Sequence, residues 1–139
     1  MDGVDFEDLS VGQTASFSKT ITEADILLFA AVSGDTNPVH IDAEAAAASM
    51  FKERIAHGML SASLISTVLG TRLPGPGTIY LAQSLKFRAP VTIGQTVRAT
   101  VEVTALDAAR KRATLSTTCT VAGKTVVDGE ATVMVAARG

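Results

Sequence analysis

Tryptophan is absent from this sequence, tyrosine occurs once, and aromatic residues make up only 4% of its 139 residues. The 12 basic residues are outnumbered by 14 acidic ones, which leaves a formal net charge of −2. Proteins that bind nucleic acids neutralise phosphates with clustered Lys and Arg and often stack bases on aromatic rings. Because aromatic residues are scarce and no basic run stands out against the net negative charge, we expect no nucleic-acid partner.

Cysteine and long apolar runs are also scarce. The single cysteine, Cys119, cannot form an internal disulfide, and its place in an alternating segment predicts a small buried residue of a strand. No apolar run approaches the ~20 residues that span a bilayer. The acidic stretch MDGVDFEDLS at the N-terminus lacks the charged and then apolar pattern of a signal peptide. We therefore expect a soluble cytoplasmic protein without a membrane partner.

What the sequence does contain is typical of one globular domain. Apolar residues make up 47% of the chain and charged residues 19%. A chain of this length buries a sufficient core without disulfides or metal. We expect a single domain over residues 1–139 with a core built mainly from Ala, Val, Leu and Ile.

Three segments have helical patterns. Residues 22–34 begin with Thr22 as a cap and Asp25 three positions later, and Gly34 is suited to end the helix. Residues 42–50 form an alanine-rich segment with Asp42 as its cap. Residues 58–72 are apolar around most of the helix circumference, which predicts a buried central helix.

Strands are predicted by alternation of apolar and polar residues. The expected strands cover residues 14–21, 78–88, 96–105, 112–121 and 125–136. With a strongly apolar helix to cover and no βαβ repetition, we predict an α+β hot-dog fold, in which a curved antiparallel sheet wraps around the long central helix. Open sheet edges are a liability unless they are paired, so we also expect a homodimer.

The segment SGDTNPVH places Asp35 five residues before His40, with two turn-forming residues, Asn37 and Pro38, between them. A rigid bend there would direct a carboxylate and an imidazole at one point, a pair suited to moving two protons. The alternative is structural, with Asp35 as a turn residue and His40 on the surface. Spacing alone leaves both interpretations open.

The longer string FAAVSGDTNPVHIDAEAA, residues 29–46, resembles the hydratase motif of the MaoC-like family throughout. The segments over 6–13, 51–66 and 79–97 are similar to other parts of that family. The chain most resembles its bacterial (R)-specific enoyl-CoA hydratases of the PhaJ type, which supply monomers for polyhydroxyalkanoate synthesis.

This resemblance implies reversible hydration of a trans-2-enoyl-CoA to an (R)-3-hydroxyacyl-CoA, with no metal and no cofactor beyond the coenzyme A of the substrate. Asp35 and His40 would be the catalytic pair that holds one water. The Gly58 N–H would bind the thioester oxygen, and Ser66 and Asn37 are further substrate-binding candidates. A plain turn at Gly58 and simple helix packing at Ser66 are the structural alternatives.

The sequence leaves other functions and other residue roles open. His57 is interpreted as a loop-positioning residue and not as a base. Basic candidates for the phosphates of coenzyme A are Lys86, Arg88, Arg110, Lys111 and Arg112. A hot-dog acyl-CoA thioesterase, a dehydratase of (3R)-hydroxyacyl-ACP and a non-catalytic acyl-CoA-binding domain are the alternative functions.

Overall fold

A computed structural model of the chain describes residues 2–138. Its first long helix, α1, covers Glu23–Ser33, as predicted to within one residue. The Thr22 side chain accepts a hydrogen bond from the Asp25 N–H, and the Asp25 carboxylate accepts one from the Thr22 N–H. This reciprocal pair is the expected capping box. Gly34 ends the helix with a φ of 77°, in the left-handed region that glycine adopts without steric cost.

The segment after α1 differs from the prediction of a simple turn. Pro38–Ile41 form a one-turn helix, α2. Asn37 caps this helix, because its side-chain oxygen accepts a hydrogen bond from the Val39 N–H at 3.1 Å. Pro38 occupies the first helical position, where its missing N–H would have had no acceptor in the helix. The bend is therefore a helix start as well as a turn.

The next helix, α3, is shorter than predicted. It covers Ala43–Ala47, and the Asp42 carboxylate caps it by accepting hydrogen bonds from two backbone N–H groups. The prediction of a helix to residue 50 is wrong, because Ser49 redirects the chain. Its hydroxyl donates to the Ala46 carbonyl and accepts a hydrogen bond from the Phe51 N–H. Such local side-chain bonds compete with helical ones.

All five predicted strands are present, with ends displaced by no more than two residues, in one antiparallel sheet of order β1-β3-β4-β5-β2. Gly123 and Ala122 both have positive φ in the hairpin between β4 and β5, which suits a tight two-residue turn. A short 3₁₀ helix, Phe6–Asp8, was not predicted. The strands are β1 Thr14–Thr20, β2 Ile79–Phe87, β3 Thr96–Asp107, β4 Arg112–Val121 and β5 Lys124–Met134.

The central helix, α4, covers Gly58–Thr71 and packs one face against the sheet. The inward side chains of β3 are fully buried, and Cys119 of β4 is buried as predicted. Burial of each large apolar side chain contributes about 1.5–3 kcal/mol. The core therefore holds α4 in place and fixes the position of its N-terminus. The buried residues at this interface include Leu64, Ile65, Val68, Val97, Ala99, Val101, Val103 and Leu115.

The opposite face of α4 is not covered by the other described residues, 2–138, contrary to the prediction of burial nearly all round. Met59, Ser63 and Ser66 are exposed there. The edge strand β2 is also apolar and exposed, with Tyr80 and Leu81 at 40% and 42%. Within residues 2–138, no helix has both the length and the apolarity to cross a membrane.

Candidate active site

The Asp35 carboxylate is held in a bend directly after α1. The Ser33 hydroxyl accepts a hydrogen bond from the Asp35 N–H at 3.1 Å, and Asp35 Oδ1 accepts one from the Asn37 N–H at 3.2 Å. An Asp that bonds to the backbone two residues later forms a local turn of its own. This turn orients the carboxylate and leaves its other oxygen outside the turn.

The His40 ring is 8% exposed and is fixed by a backbone carbonyl. Its Nδ1 lies 2.8 Å from the Ile55 oxygen. Because a carbonyl oxygen can only accept, Nδ1 carries the proton and Nε2 carries a lone pair in the neutral ring. The Arg54 guanidinium donates to the His40 carbonyl at 2.7 Å and pairs with Glu23 at 2.8 Å, which fastens α2 to the start of α1.

The predicted pair does converge. One side-chain ligand atom from each of Asp35, His40 and His57 lies within 4.8 Å of the other two. Spacing alone left open that Asp35 is only a turn residue and His40 a surface histidine. That alternative would not place His40 in the interior, where it lies. Two imidazoles and a carboxylate are also a set that transition metals accept, although both rings already have one nitrogen at a backbone carbonyl.

A cavity of about 860 Å³ opens beside this cluster. Its volume is within the range of ligand sites, and its lining is largely apolar with a few convergent polar groups. Asp35, His40 and Gly58 all contribute to the wall, and Phe29 and Phe87 are among its apolar lining residues. The cavity can therefore hold an apolar molecule with one reactive polar segment at the cluster.

Gly58 is the first residue of α4, so its N–H has no acceptor inside the helix and lies in the positive field of the helix N-terminus. A Cβ on Gly58 would lie 2.6 Å from Cδ1 of Phe87. Any residue with a Cβ would therefore force the Phe87 ring to shift, whereas glycine leaves the backbone open here. Both observations suit a place where an electron-rich oxygen could approach the backbone.

Ser66 and Asn37 are not part of this cluster. Ser66 lies two helical turns after Gly58, about 12 Å along the axis, and lines a second cavity of about 500 Å³. The two cavities share Phe29 and Met59 in their walls. Asn37 caps α2 and lines neither cavity, so its role as a substrate contact stays a prediction.

Three further residues have a defined place in or near the site. Of the basic candidates, Arg88 lines the larger cavity and pairs with Asp128 at 3.2 Å. Tyr80 lines the second cavity; its partial burial raises its pKa, and its hydroxyl donates a hydrogen bond to Gln83. Sequence patterns missed the Tyr80–Gln83 pair, because both residues fit an ordinary strand.

The arrangement has clear relatives. The family described as "MaoC like domain" matches residues 8–133. The chain belongs to this family. The resemblance seen in the motif over 29–46 is thereby confirmed for almost the whole chain.

Individual relatives agree with this membership. An (R)-specific enoyl-CoA hydratase of Rhodospirillum rubrum is 65% identical over 134 residues, which is 96% of this chain and 93% of the relative. The (R)-hydratase PhaJ1 of Pseudomonas aeruginosa is 50% identical with a TM-score of 0.93, covering 98% of this chain and 88% of that chain. An (R)-hydratase of Aeromonas caviae involved in PHA biosynthesis is 48% identical with a TM-score of 0.90, covering 93% and 98%. These structures confirm the predicted hot-dog architecture.

Proposed function

We propose that this chain catalyses the reversible hydration of a trans-2-enoyl-CoA to an (R)-3-hydroxyacyl-CoA. The observation that carries the proposal is the convergence of Asp35 and His40 on one wall of a cavity beside the N-terminus of α4. The relatives named as (R)-specific enoyl-CoA hydratases support the substrate class and the stereochemistry. Polyhydroxyalkanoate synthesis is a process that the product of such a reaction could supply.

The pair would hold one water between the Asp35 carboxylate and His40 Nε2. In the hydration direction, one proton leaves the water as its oxygen bonds to C3, and one proton is delivered to C2. The pair thus accepts one proton and donates one, and its net protonation does not change. The lone pair on His40 Nε2, set by the bond from Nδ1–H to the Ile55 carbonyl, suits the accepting role.

Addition of water at C3 moves negative charge onto the thioester oxygen. The N–H of Gly58 is well placed to receive it, because α4 is 14 residues long and the first N–H groups of a helix are unpaired. The missing Cβ allows the thioester to approach the backbone closely. Protons and one backbone donor suffice for this reaction, so the proposal requires no metal or redox cofactor.

We also propose that two copies of the chain associate through the uncovered apolar surface. This surface combines the edge strand β2, which includes Tyr80 and Leu81, with the exposed face of α4, which includes Met59. A second copy would pair the open strand edge and cover the apolar side chains. Light scattering should give the mass of a dimer for the wild type, and Leu81→Lys should lower that mass.

The proposed reaction is tested with crotonyl-CoA. A hydratase lowers the absorbance of the conjugated enoyl thioester without releasing free thiol, and chiral analysis should find the (R)-3-hydroxy product. A thioesterase, the main alternative, would release thiol and form no 3-hydroxy product. Thiol release without formation of a 3-hydroxy product would reject the proposal, and so would an (S) product.

A further inference from the structure

His57 touches both members of the proposed catalytic pair while remaining almost completely buried, at 2% exposure. Its ring stacks on the His40 ring with centroids 3.9 Å apart and an interplanar angle of 25°. Its Nε2 lies 2.9 Å from the backbone oxygen of Asp35. Phe29 closes another side of the ring, at 4.9 Å between centroids. One side chain therefore contacts the two segments that carry the reactive groups.

The hydrogen bonds give the two histidines opposite tautomers. The Asp35 carbonyl can only accept, so the proton of a neutral His57 is on Nε2. By the same argument, the proton of His40 is on Nδ1, at the Ile55 carbonyl. The remaining nitrogen of His57, Nδ1, is buried and has no hydrogen-bond partner within residues 2–138. A second proton on His57 would therefore have no acceptor there.

His57 also immediately precedes α4 and is its N-cap residue, although its side chain makes no capping bond to the helix. The side chain is instead committed to Asp35 and His40. The position of the α4 N-terminus, and with it the Gly58 N–H, is thus linked to the positions of the carboxylate and the imidazole. The stack fixes the plane of the His40 ring, and the hydrogen bond fixes the bend at Asp35.

We propose that His57 is a positioning residue that sets the separation and orientation of Asp35 and His40, acting as a neutral Nε2–H tautomer stacked on an Nδ1–H His40. This inference rests on the hydratase function proposed above. The role has two separable parts, the donor to the Asp35 carbonyl and the flat ring against His40. Because His57 does not touch the reacting atoms in this scheme, its loss should reduce turnover more than substrate binding.

The tautomers can be measured directly, because the chain contains only two histidines. In untagged, ¹⁵N-labelled wild-type protein at pH 7.5, two-bond ¹H–¹⁵N correlation spectra should show one ring protonated at Nε2 and the other at Nδ1. The spectrum of the His40→Asn variant assigns the signals. If His57 is protonated at Nδ1, or at both nitrogens, the proposal is wrong. This result does not depend on activity, so it stands even if the chain fails to hydrate crotonyl-CoA.

Two variants then separate the parts of the role. His57→Gln keeps an amide N–H near the position of Nε2 and loses the ring, whereas His57→Phe keeps a flat ring and loses the donor. We expect kcat of His57→Phe on crotonyl-CoA to fall about 10- to 100-fold with KM changed less than about threefold, as for a misplaced reactive pair. His57→Gln should recover part of that loss.

Retention of full kcat by folded His57→Phe would overturn the proposal, and so would a rise in KM alone. Circular dichroism and the melting temperature establish that each variant is folded. If His57→Phe does not fold, the tautomers of the wild-type protein and the kinetics of His57→Gln decide the question. An inactive wild-type protein with the expected tautomers would reject the proposed function and leave the structural assignment of His57 intact.

Discussion

Gly58→Ala tests the close approach at the start of α4. The added Cβ would lie 2.6 Å from Cδ1 and 2.7 Å from Cε1 of Phe87. To restore an ordinary contact of about 3.4 Å, the ring must move by about 0.8 Å, the difference between this contact distance and the 2.6 Å to Cδ1. The Phe87 ring is 54% exposed, so it can move with little loss of stability. The displaced ring and the new methyl group would both intrude where the thioester should meet the Gly58 N–H.

A misplacement of this size at a reacting centre costs about 100-fold in rate, or about 2.7 kcal/mol. We expect kcat/KM for crotonyl-CoA to fall by this amount in Gly58→Ala while the melting temperature changes by only a few degrees. The double variant Gly58→Ala with Phe87→Ala is the matched control, because it removes the clash and keeps the methyl group. If kcat/KM partly recovers in the double variant, the recovered part of the loss was caused by the displaced Phe87 ring. If Gly58→Ala keeps kcat/KM within about threefold of wild type, the close approach of a thioester to this backbone is refuted.

Three further outcomes follow from the structure. Burial raises the pKa of the Cys119 thiol to about 11. A disulfide reagent at pH 8 should therefore leave the native protein unlabelled and should label the thiol once denaturant is added. Rapid labelling of the native protein would contradict this burial. The hydrogen bond from Lys19 lowers the pKa of Asp25 below its ordinary value of 3.8. The charged carboxylate of Asp25 therefore stabilises the fold at pH values above 3.8. This stabilisation is lost as the pH falls through the lowered pKa of the folded protein. Loss of the hydrogen bond to the Thr22 N–H and of the ion pair with Lys19 in Asp25→Ala should therefore lower the free energy of unfolding by about 1 kcal/mol at pH 7 and by less near pH 2.5. An equal loss at both pH values would show that the charge of Asp25 does not contribute to stability. Finally, prolonged dialysis against EDTA should leave kcat unchanged, whereas loss of activity that zinc restores would show that Asp35, His40 and His57 hold a metal.

Local rules predicted much of the fold. The capping box at Thr22 and Asp25 and the left-handed Gly34 fixed α1 to within one residue. Strict alternation identified β3, in which four inward residues are fully buried. These features depend on residues close together in the sequence, and their physical causes are visible in the residue types alone.

Features that depend on tertiary contact were not predictable in the same way. α2 is a single turn of four residues, too short to show a hydrophobic period. The stack of His57 on His40 joins segments 17 residues apart and requires α4 to begin beside α2. The exposed face of α4 was missed, because an apolar sequence does not say whether its own chain or a second copy covers it. The placement of Ser66 in a separate cavity likewise required the structure.

In the proposed mechanism Asp35 and His40 act together on one water, and paired variants at these two positions test this coupling. Asp35→Asn keeps an oxygen for the Asn37 N–H, and His40→Asn keeps an amide N–H for the Ile55 carbonyl, so both can retain the local fold. Each should lower kcat on crotonyl-CoA by about 10²–10⁴-fold. The kcat of the double variant should be only slightly below that of the less active single variant. The exposed Glu44→Gln is the control and should keep wild-type turnover. If either folded single variant keeps more than about a tenth of wild-type kcat, or if the two losses multiply in full, Asp35 and His40 do not act as a unit and the proposed mechanism is wrong.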